Sequence, residues 1–229
     1  MDDAVDASEL VFALVDIEGH VEQLAAAAFG GLAAATPAGD QALPGRLGQA
    51  SQTLFSLPVD DELIMALAVP DLTLETKRAR AVLPHEVAFS DAVFNVAAAT
   101  ALVSGLADGD GFLIRVGMQD KLHQDARAEL VPASLDVLAA ARDAGAYGAA
   151  WSGAGPTMLG ICGDEDAADD VAYAMTGAFE GAGIESEALV LKIDTLGCVT
   201  TELDGDDVAL PEPAATPDDP SEARDGDDT

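Results

Sequence analysis

A glycine-rich stretch between two apolar runs, residues 145–162 (GAYGAAWSGAGPTMLGIC), carries residue types that could hold a small anion. The turn between the runs consists of four small residues, Ser152, Gly153, Ala154 and Gly155. Their backbone N–H groups can be approached closely, and successive N–H groups in a bent loop form a concave anion site. A plain β-hairpin, with glycines where φ must be positive, uses the same residues. The loop alone therefore leaves anion binding and a structural turn both open.

The charge of the chain excludes classes of partner that are themselves negative. There are 42 acidic and 10 basic residues, for a net charge of −32. Such a surface repels nucleic acid and anionic membranes, so we expect neither as a partner. Because salt screens the self-repulsion, the composition favours a halophilic protein that is stable in concentrated salt. The alternative is an acidic protein of an ordinary cell with an acidic tail.

Cysteine usage and the first residues indicate a cytoplasmic protein. The two cysteines, Cys162 and Cys198, are too few for a disulfide framework and lack metal-ligand spacing, so no metal site is predicted. Residues 1–10 are acidic, whereas a secretory signal begins with basic residues. No apolar run reaches the roughly 18 residues that span a bilayer, so we expect no membrane segment.

Hydrophobic periodicity predicts a mixed fold. Helices are expected over 8–28, 75–83, 90–106, 109–118, 133–143 and 165–180, and strands over 50–57, 62–69 and 188–193, besides the two strands that flank the loop. This order is typical of an α+β sandwich, with helices on one side of an antiparallel sheet. Residues 201–229 are dominated by Pro, Asp and Glu, which predicts a disordered acidic tail.

Several segments resemble motifs of the homoserine kinases, which belong to the GHMP superfamily of small-molecule kinases. They are PDLTLETKRARAVLP (70–84), SDAVFN (90–95), DKLHQDARAELVP (120–132) and GAYGAAWSGAGPT (145–157). The last is similar to the third glycine motif of the whole superfamily, whereas the first and third point to homoserine kinases in particular. A fainter similarity is HVEQLAAAAFGG (20–31).

The resemblance implies a fold, a reaction and its cofactors. Residues 58–200 would form the ferredoxin-like α/β sandwich of the GHMP C-terminal domain, and residues 1–57 the remnant of the N-terminal domain. The implied activity is ATP-dependent phosphorylation of the hydroxyl of L-homoserine, a step of threonine biosynthesis, with ATP and Mg²⁺ as cofactors. Phosphoryl transfer depends mainly on positioning and on neutralising charge.

The resemblance also assigns binding residues, but no catalytic residue. Arg80 and Arg127 would hold the α-carboxylate of homoserine, which suits guanidinium groups because they match a carboxylate bidentately. Thr76 would add a hydroxyl hydrogen bond, His20 would contact the substrate, and residues 152–155 would line the pocket with N–H groups. The structural alternatives are a solvated basic face for the arginines, a helix cap for Thr76 and a helix end for His20.

One expected motif is missing from the sequence. The family's principal phosphate loop, which resembles P-x-x-x-GLGSSAA, is not found in this chain, so the chain looks like a homoserine kinase without about its first third. Three alternatives stay open: an active kinase, a degenerate homologue that binds an amino acid or a partner, and a split enzyme completed by another N-terminal chain. Exposed edge strands would favour a homodimer or such a complement.

Overall fold

The computed structural model describes residues 11, 13–15, 21–35 and 54–199. The helices are α1 (Glu22–Phe29), α2 (Thr76–Ala81), α3 (Phe89–Asp108), α4 (Gly111–Gly117), α5 (Gln124–Ala128), α6 (Ser134–Asp143) and α7 (Glu165–Gly181). The strands are β1 (Leu32–Ala35), β2 (Leu54–Leu57), β3 (Ile64–Pro70), β4 (Gly148–Trp151), β5 (Met158–Cys162) and β6 (Ser186–Lys192). Within the described residues, the predicted strands and the helices predicted from residue 75 onward are confirmed, with ends shifted by a few residues. The prediction of one helix over 8–28 is wrong, because residues 11 and 13–15 are helical but Val21 lies in a bend before α1. The sequence did not predict β1 or α5. The predicted tail lies outside the described residues.

The larger sheet of the described residues has four antiparallel strands in the order β4-β5-β3-β6. Along the chain, β3, α6, β4, β5, α7 and β6 follow one another as strand, helix, strand, strand, helix and strand. This succession and strand order are those of a ferredoxin-like sandwich, as the resemblance implies. Helices α2 to α5 form an insertion between β3 and α6.

One face of the sheet carries the main hydrophobic core. Ile64, Ala66 and Ala68 alternate along β3 and pack with Val137 of α6 and Phe179 of α7. Alanines on the strand let the two helices approach the sheet closely, which explains how a chain with few aromatic residues fills its interior.

The opposite face is also covered by helices, so the expectation of helices on one side only is wrong. Leu63 and Ile161 pack there with Leu106 of α3 and Ile114 of α4. The reason is visible in the sequence of β3, IMALAVP, which is apolar at successive positions. Because side chains alternate across a strand, such a run presents apolar groups to both faces.

Helix α3 is apolar although little of it is buried. It has 20 residues, its most apolar 18-residue window has a mean hydropathy of 1.4, and 17% of that window is buried. By length and composition alone it is able to cross a membrane. The helix nevertheless packs closely on α4, where a Cβ on Gly105 would lie 2.7 Å from the nitrogen of Ile114. Its outer face exposes Phe89 and Val96, at 85% and 69% of their surface.

The N-terminal described segment joins this sandwich through backbone hydrogen bonds. Helix α1 ends at Gly30, whose φ of 70° ends the helix as the sequence predicts. Strands β1 and β2 form a separate antiparallel pair. The N–H of Gly31 donates to the carbonyl of Asp194 at 2.7 Å, and that of Cys198 donates to Ala28 at 3.1 Å. The domain boundary at residues 57–58 stays a prediction.

Candidate functional site

The glycine-rich loop is the turn of the β4–β5 hairpin. Trp151 pairs with Met158 at the ends of the two strands. The N–H of Ser152 donates to the carbonyl of Thr157 at 2.9 Å, and the N–H of Gly155 donates to Ser152 at 3.0 Å. Two of the four predicted anion-binding amides are therefore used inside the turn. Those of Gly153 and Ala154 have no acceptor among the described residues and could serve a ligand.

Two side chains support the loop from behind. Gly155 has a φ of 81°, and a Cβ there would overlap the ring of Trp151. Gly153 has a φ of 58°, and a Cβ there would lie 2.9 Å from the side-chain nitrogen of Gln23 in α1. Glycine is required at Gly155 both by the backbone and by the indole ring. The N-terminal segment thus borders the loop.

Arg127 connects helix α5 to the loop. A terminal guanidinium nitrogen donates to the carbonyl of Gly153 at 2.8 Å and lies 3.5 Å from Nδ1 of His123. Its Nε is buried and has no acceptor among the described residues. The side chain therefore holds the loop in place and keeps donor capacity beside it.

Arg80 lies near enough to Arg127 to affect the pKa of its guanidinium group. Burial lowers the pKa of the Arg127 guanidinium, the Asp120 carboxylate opposes this, and the positive charge of Arg80 lowers it further. The positive charge of Arg80 thus acts on Arg127, which lies 47 positions further along the sequence and contacts the glycine loop. A guanidinium group beside the loop can bind a small anion, because it matches a carboxylate bidentately.

Asp120 organises the loop that leads to Arg127. One carboxylate oxygen accepts the N–H groups of Leu122, His123 and Gln124 at 2.7–3.0 Å, and the other accepts the Asn95 amide at 2.7 Å. Burial disfavours the charged form, but these donors outweigh it, and the pKa of Asp120 lies below its ordinary value. Asn95 also accepts the N–H of Lys121 at 2.9 Å. The pair anchors the loop to α3.

His123 lies between Asp120 and Arg127. Burial and the charge of Arg127 lower its pKa, while Asp120 raises it, and the net direction is downward. Nε2 of His123 is 3.5 Å from Asp120, and Nδ1 faces the guanidinium. Because arginine can only donate, the neutral ring accepts with Nδ1 and carries its proton on Nε2. The imidazole of His123 therefore lies in contact with both the Asp120 carboxylate and the Arg127 guanidinium.

A cavity of about 580 Å³ opens at this cluster. Its lining residues are Leu83, Pro84, Val87, Leu122, His123, Arg127, Trp151 and Gly153. A second cavity of about 360 Å³ lies under α3, and Trp151 and His123 border both cavities. An apolar cavity with guanidinium and backbone groups at one end suits a small, charged organic molecule.

The structure brings only some of the sequence-predicted residues to this cavity. Gly153 and Arg127 line it, and Arg80 acts on Arg127. Thr76 is exposed, and Glu75 precedes it at the cap position of α2 without a side-chain cap bond. His20 lies outside the described residues. The roles of all these residues towards a substrate stay predictions.

Sequence reasoning missed two residues of the site. It gave no role to Trp151 or to Asp120. The available signals were that Trp151 is the one tryptophan of the chain and immediately precedes the loop, and that Asp120 opens a motif ending in Arg127. Neither signal reveals a contact without the fold.

The described part of the chain holds no candidate metal centre, and its buried thiol, Cys162, is not a nucleophile. No group of three or more His, Cys, Asp or Glu residues there could hold a metal ion. Burial, with a smaller effect of Asp164, raises the pKa of Cys162 to about 11, so the thiol stays protonated. The described residues therefore offer Mg²⁺ no carboxylate cluster.

Part of this chain matches a known protein family. Residues 102–181 match the family model described as GHMP kinases C terminal. The matched residues run from within α3 through α7, so the matched region includes Arg127 and the glycine loop.

Curated relatives named homoserine kinase match most of the chain. Identity is 35% over 205 residues with the protein of Prochlorococcus marinus subsp. pastoris, covering 90% of this chain and 62% of that one. It is 37% over 196 residues with the protein of Synechocystis sp., covering 86% and 60%. The chain thus spans about three-fifths of the length of these relatives.

Solved structures match over similar lengths. A homoserine kinase from Cytophaga hutchinsonii superposes with a TM-score of 0.71 at 26% identity, covering 86% of this chain and 61% of that chain. A mevalonate kinase of L. major in complex with R-mevalonate superposes with a TM-score of 0.57 at 15% identity, covering 86% and 60%. The second match shows a shared fold alone.

Proposed function

We propose that this chain is the acceptor-binding part of a homoserine kinase, which transfers a phosphoryl group from ATP to the side-chain hydroxyl of L-homoserine. The observation that carries the proposal is the guanidinium of Arg127, which donates to the carbonyl of Gly153 at 2.8 Å and lines a cavity of about 580 Å³. Relatives named homoserine kinase, at 35% and 37% identity, support the choice of substrate.

The arginines would bind the carboxylate of the amino acid. Arg127 approaches from α5 and Arg80 from α2, so the carboxylate would be held from two sides. The apolar wall of Leu83, Pro84 and Val87 would pack against the short aliphatic part of the substrate. A fixed carboxylate gives the hydroxyl one position, which is what an in-line transfer requires.

The loop would contribute N–H donors rather than a complete phosphate cradle. ATP with Mg²⁺ supplies the phosphoryl group and neutralises its charge in reactions of this class. Of the four loop amides, those of Ser152 and Gly155 are already bonded within the turn. The Gly153 and Ala154 N–H groups would face the reacting substrates, and the remaining phosphate contacts would come from a further segment or partner chain.

The test separates catalysis from binding. Homoserine-dependent ADP release and, independently, homoserine binding by calorimetry are measured in concentrated KCl. Release confirms the kinase proposal. Binding without release would support an acceptor-binding part that needs a further segment or partner chain for transfer, or the alternative of an amino-acid-binding homologue. Neither binding nor release would overturn both.

The cellular setting is proposed from composition. A net charge of −32 supports a halophilic, cytoplasmic protein, and the proposed reaction would belong to threonine biosynthesis. The two-stranded sheet β1–β2 supports a homodimer or a complementing N-terminal chain, since a two-stranded sheet is marginally stable alone. Sedimentation of the chain in concentrated salt tests self-association.

A further inference from the structure

Two hydrogen-bond donors of residues at the Arg127 cavity are buried and have no acceptor in the described part of the chain. They are Nε1 of Trp151 and Nε of Arg127, and both residues line this cavity. Trp151 exposes 5% of its surface. A buried donor without a partner costs about 1–3 kcal/mol, so two at one cavity are unusual.

The indole ring is held in place by its surroundings. Trp151 ends β4, where its backbone pairs with Met158 of β5. Its six-membered ring lies against Gly155, leaving no room for a Cβ there. The rest of the side chain packs into the core on the α6–α7 face of the sheet. The ring is therefore confined between Gly155 and this core, and Trp151 lines both cavities.

We infer that the indole N–H of Trp151 and the Nε–H of Arg127 form a donor pair for the carboxylate of the ligand, so that Trp151 is a specificity-determining residue. This inference rests on the proposed function and extends it. Tryptophan can only donate, so the group that completes the pair must be an acceptor. The positive charges of Arg80 and Arg127 select an anionic acceptor.

Binding of a ligand to these two donors requires a local movement of the protein. Both donor atoms lie beneath the cavity wall, since neither is exposed to solvent. A carboxylate reaches them through a small shift of the Arg127 side chain or of the Gly153–Gly155 turn. Binding should therefore change the surroundings of the indole and of the loop amides together.

Because the chain has one tryptophan, its indole N–H gives one assignable NMR signal. The ¹⁵N-labelled chain is titrated with L-homoserine and, as a matched control, with 3-aminopropan-1-ol, which lacks the carboxylate. We expect L-homoserine to move the indole proton downfield along one saturation curve with the Gly153 and Ala154 amides. The amino alcohol should leave the indole signal unchanged.

Trp151→Phe keeps an aromatic ring and removes the donor. Its Kd for L-homoserine should rise roughly ten- to hundredfold, as for loss of a hydrogen bond to a charged group, while its thermal midpoint tests that the core is intact. Loop amides that respond to homoserine beside an unmoved indole signal, with an unchanged Kd in Trp151→Phe, would overturn the Trp151 inference and leave the proposed function standing. If neither loop nor indole responds and calorimetry detects no binding, both fail.

Discussion

The guanidinium of Arg127 donates a hydrogen bond to the backbone carbonyl of Gly153 at 2.8 Å. One side chain therefore fixes the shape of the glycine turn and lines the cavity beside it. Since Arg127 lies on α5 and Gly153 between β4 and β5, this contact joins the helical insertion to the sheet at the candidate site. Residues that position Arg127 should consequently influence ligand binding as strongly as residues that touch the ligand.

Replacement of Arg127 by lysine should weaken binding of homoserine. A lysine ammonium cannot donate to Gly153 and also present two parallel N–H donors to a carboxylate. We therefore expect the binding free energy to weaken by about 1.5–3 kcal/mol, which is a roughly ten- to hundredfold rise in KM or Kd. Arg142→Lys, at an exposed position in the last turn of α6, is the matched control and should behave as the wild type. Equal affinities in the two variants would remove Arg127 from the site.

Asn95→Ala should destabilise the fold. The change removes the amide donor to Asp120 and the acceptor for the N–H of Lys121, and we expect unfolding free energy to fall by about 1–3 kcal/mol. Thr100→Ala is a control on the same helix, because that hydroxyl bonds only the carbonyl of Val96 at an exposed position. Urea denaturation compares the two. A loss in Asn95→Ala no larger than in Thr100→Ala would contradict the anchoring role.

Gly155→Ala should be strongly destabilising. The φ of 81° disfavours any L-residue by about 1–2 kcal/mol, and the Cβ would overlap the ring of Trp151. Gly177→Ala in α7 is the control, because a Cβ there meets nothing within 4 Å. That change should stabilise the exposed helix by about 0.5–1 kcal/mol. Thermal unfolding in one buffer tests whether the two shifts have opposite signs.

His123 should titrate below the ordinary histidine range. Burial and Arg127 lower its pKa, and Asp120 partly offsets them, so Asp120→Asn should lower the pKa further. Because the folded pKa is depressed, the neutral ring stabilises the fold above the unfolded pKa, and this contribution declines as pH falls towards the folded value. An NMR titration of the Cε1 proton, assigned with His123→Gln, measures the shift. A pKa that rises in Asp120→Asn would contradict this charge arrangement.

Salt should stabilise the whole chain. With a net charge of −32, repulsion between acidic groups opposes folding, and the Debye length shortens from about 10 Å at 0.1 M salt to about 3 Å at 1 M. The thermal midpoint should rise between about 0.1 M and 2 M KCl, followed by circular dichroism. Arg142→Glu, which adds negative charge, should steepen the dependence. A midpoint that stays level or falls would end the halophile proposal.

The local sequence pattern predicted many of the helices and strands, because hydrophobic periodicity is a property of neighbouring residues. The apolar run of β3 and the helical spacing of α7 can both be recognised in the local sequence. The positions of α3 and α4 could not be predicted in this way. The apolar run of β3 indicates that both faces of the strand are covered, but it does not say which helices cover them, and those helices are separated from β3 in the chain.

The sequence by itself determined most of the element order, the acidic surface and the motifs that point to a small-molecule kinase, since these are properties of composition and spacing. Tertiary structure alone decided that Arg127 reaches the carbonyl of Gly153, 26 positions further along the chain, and that Asn95 binds Asp120, 25 positions further along. These contacts join separate elements. Their distances are set by how helices pack on the sheet, which no local pattern encodes.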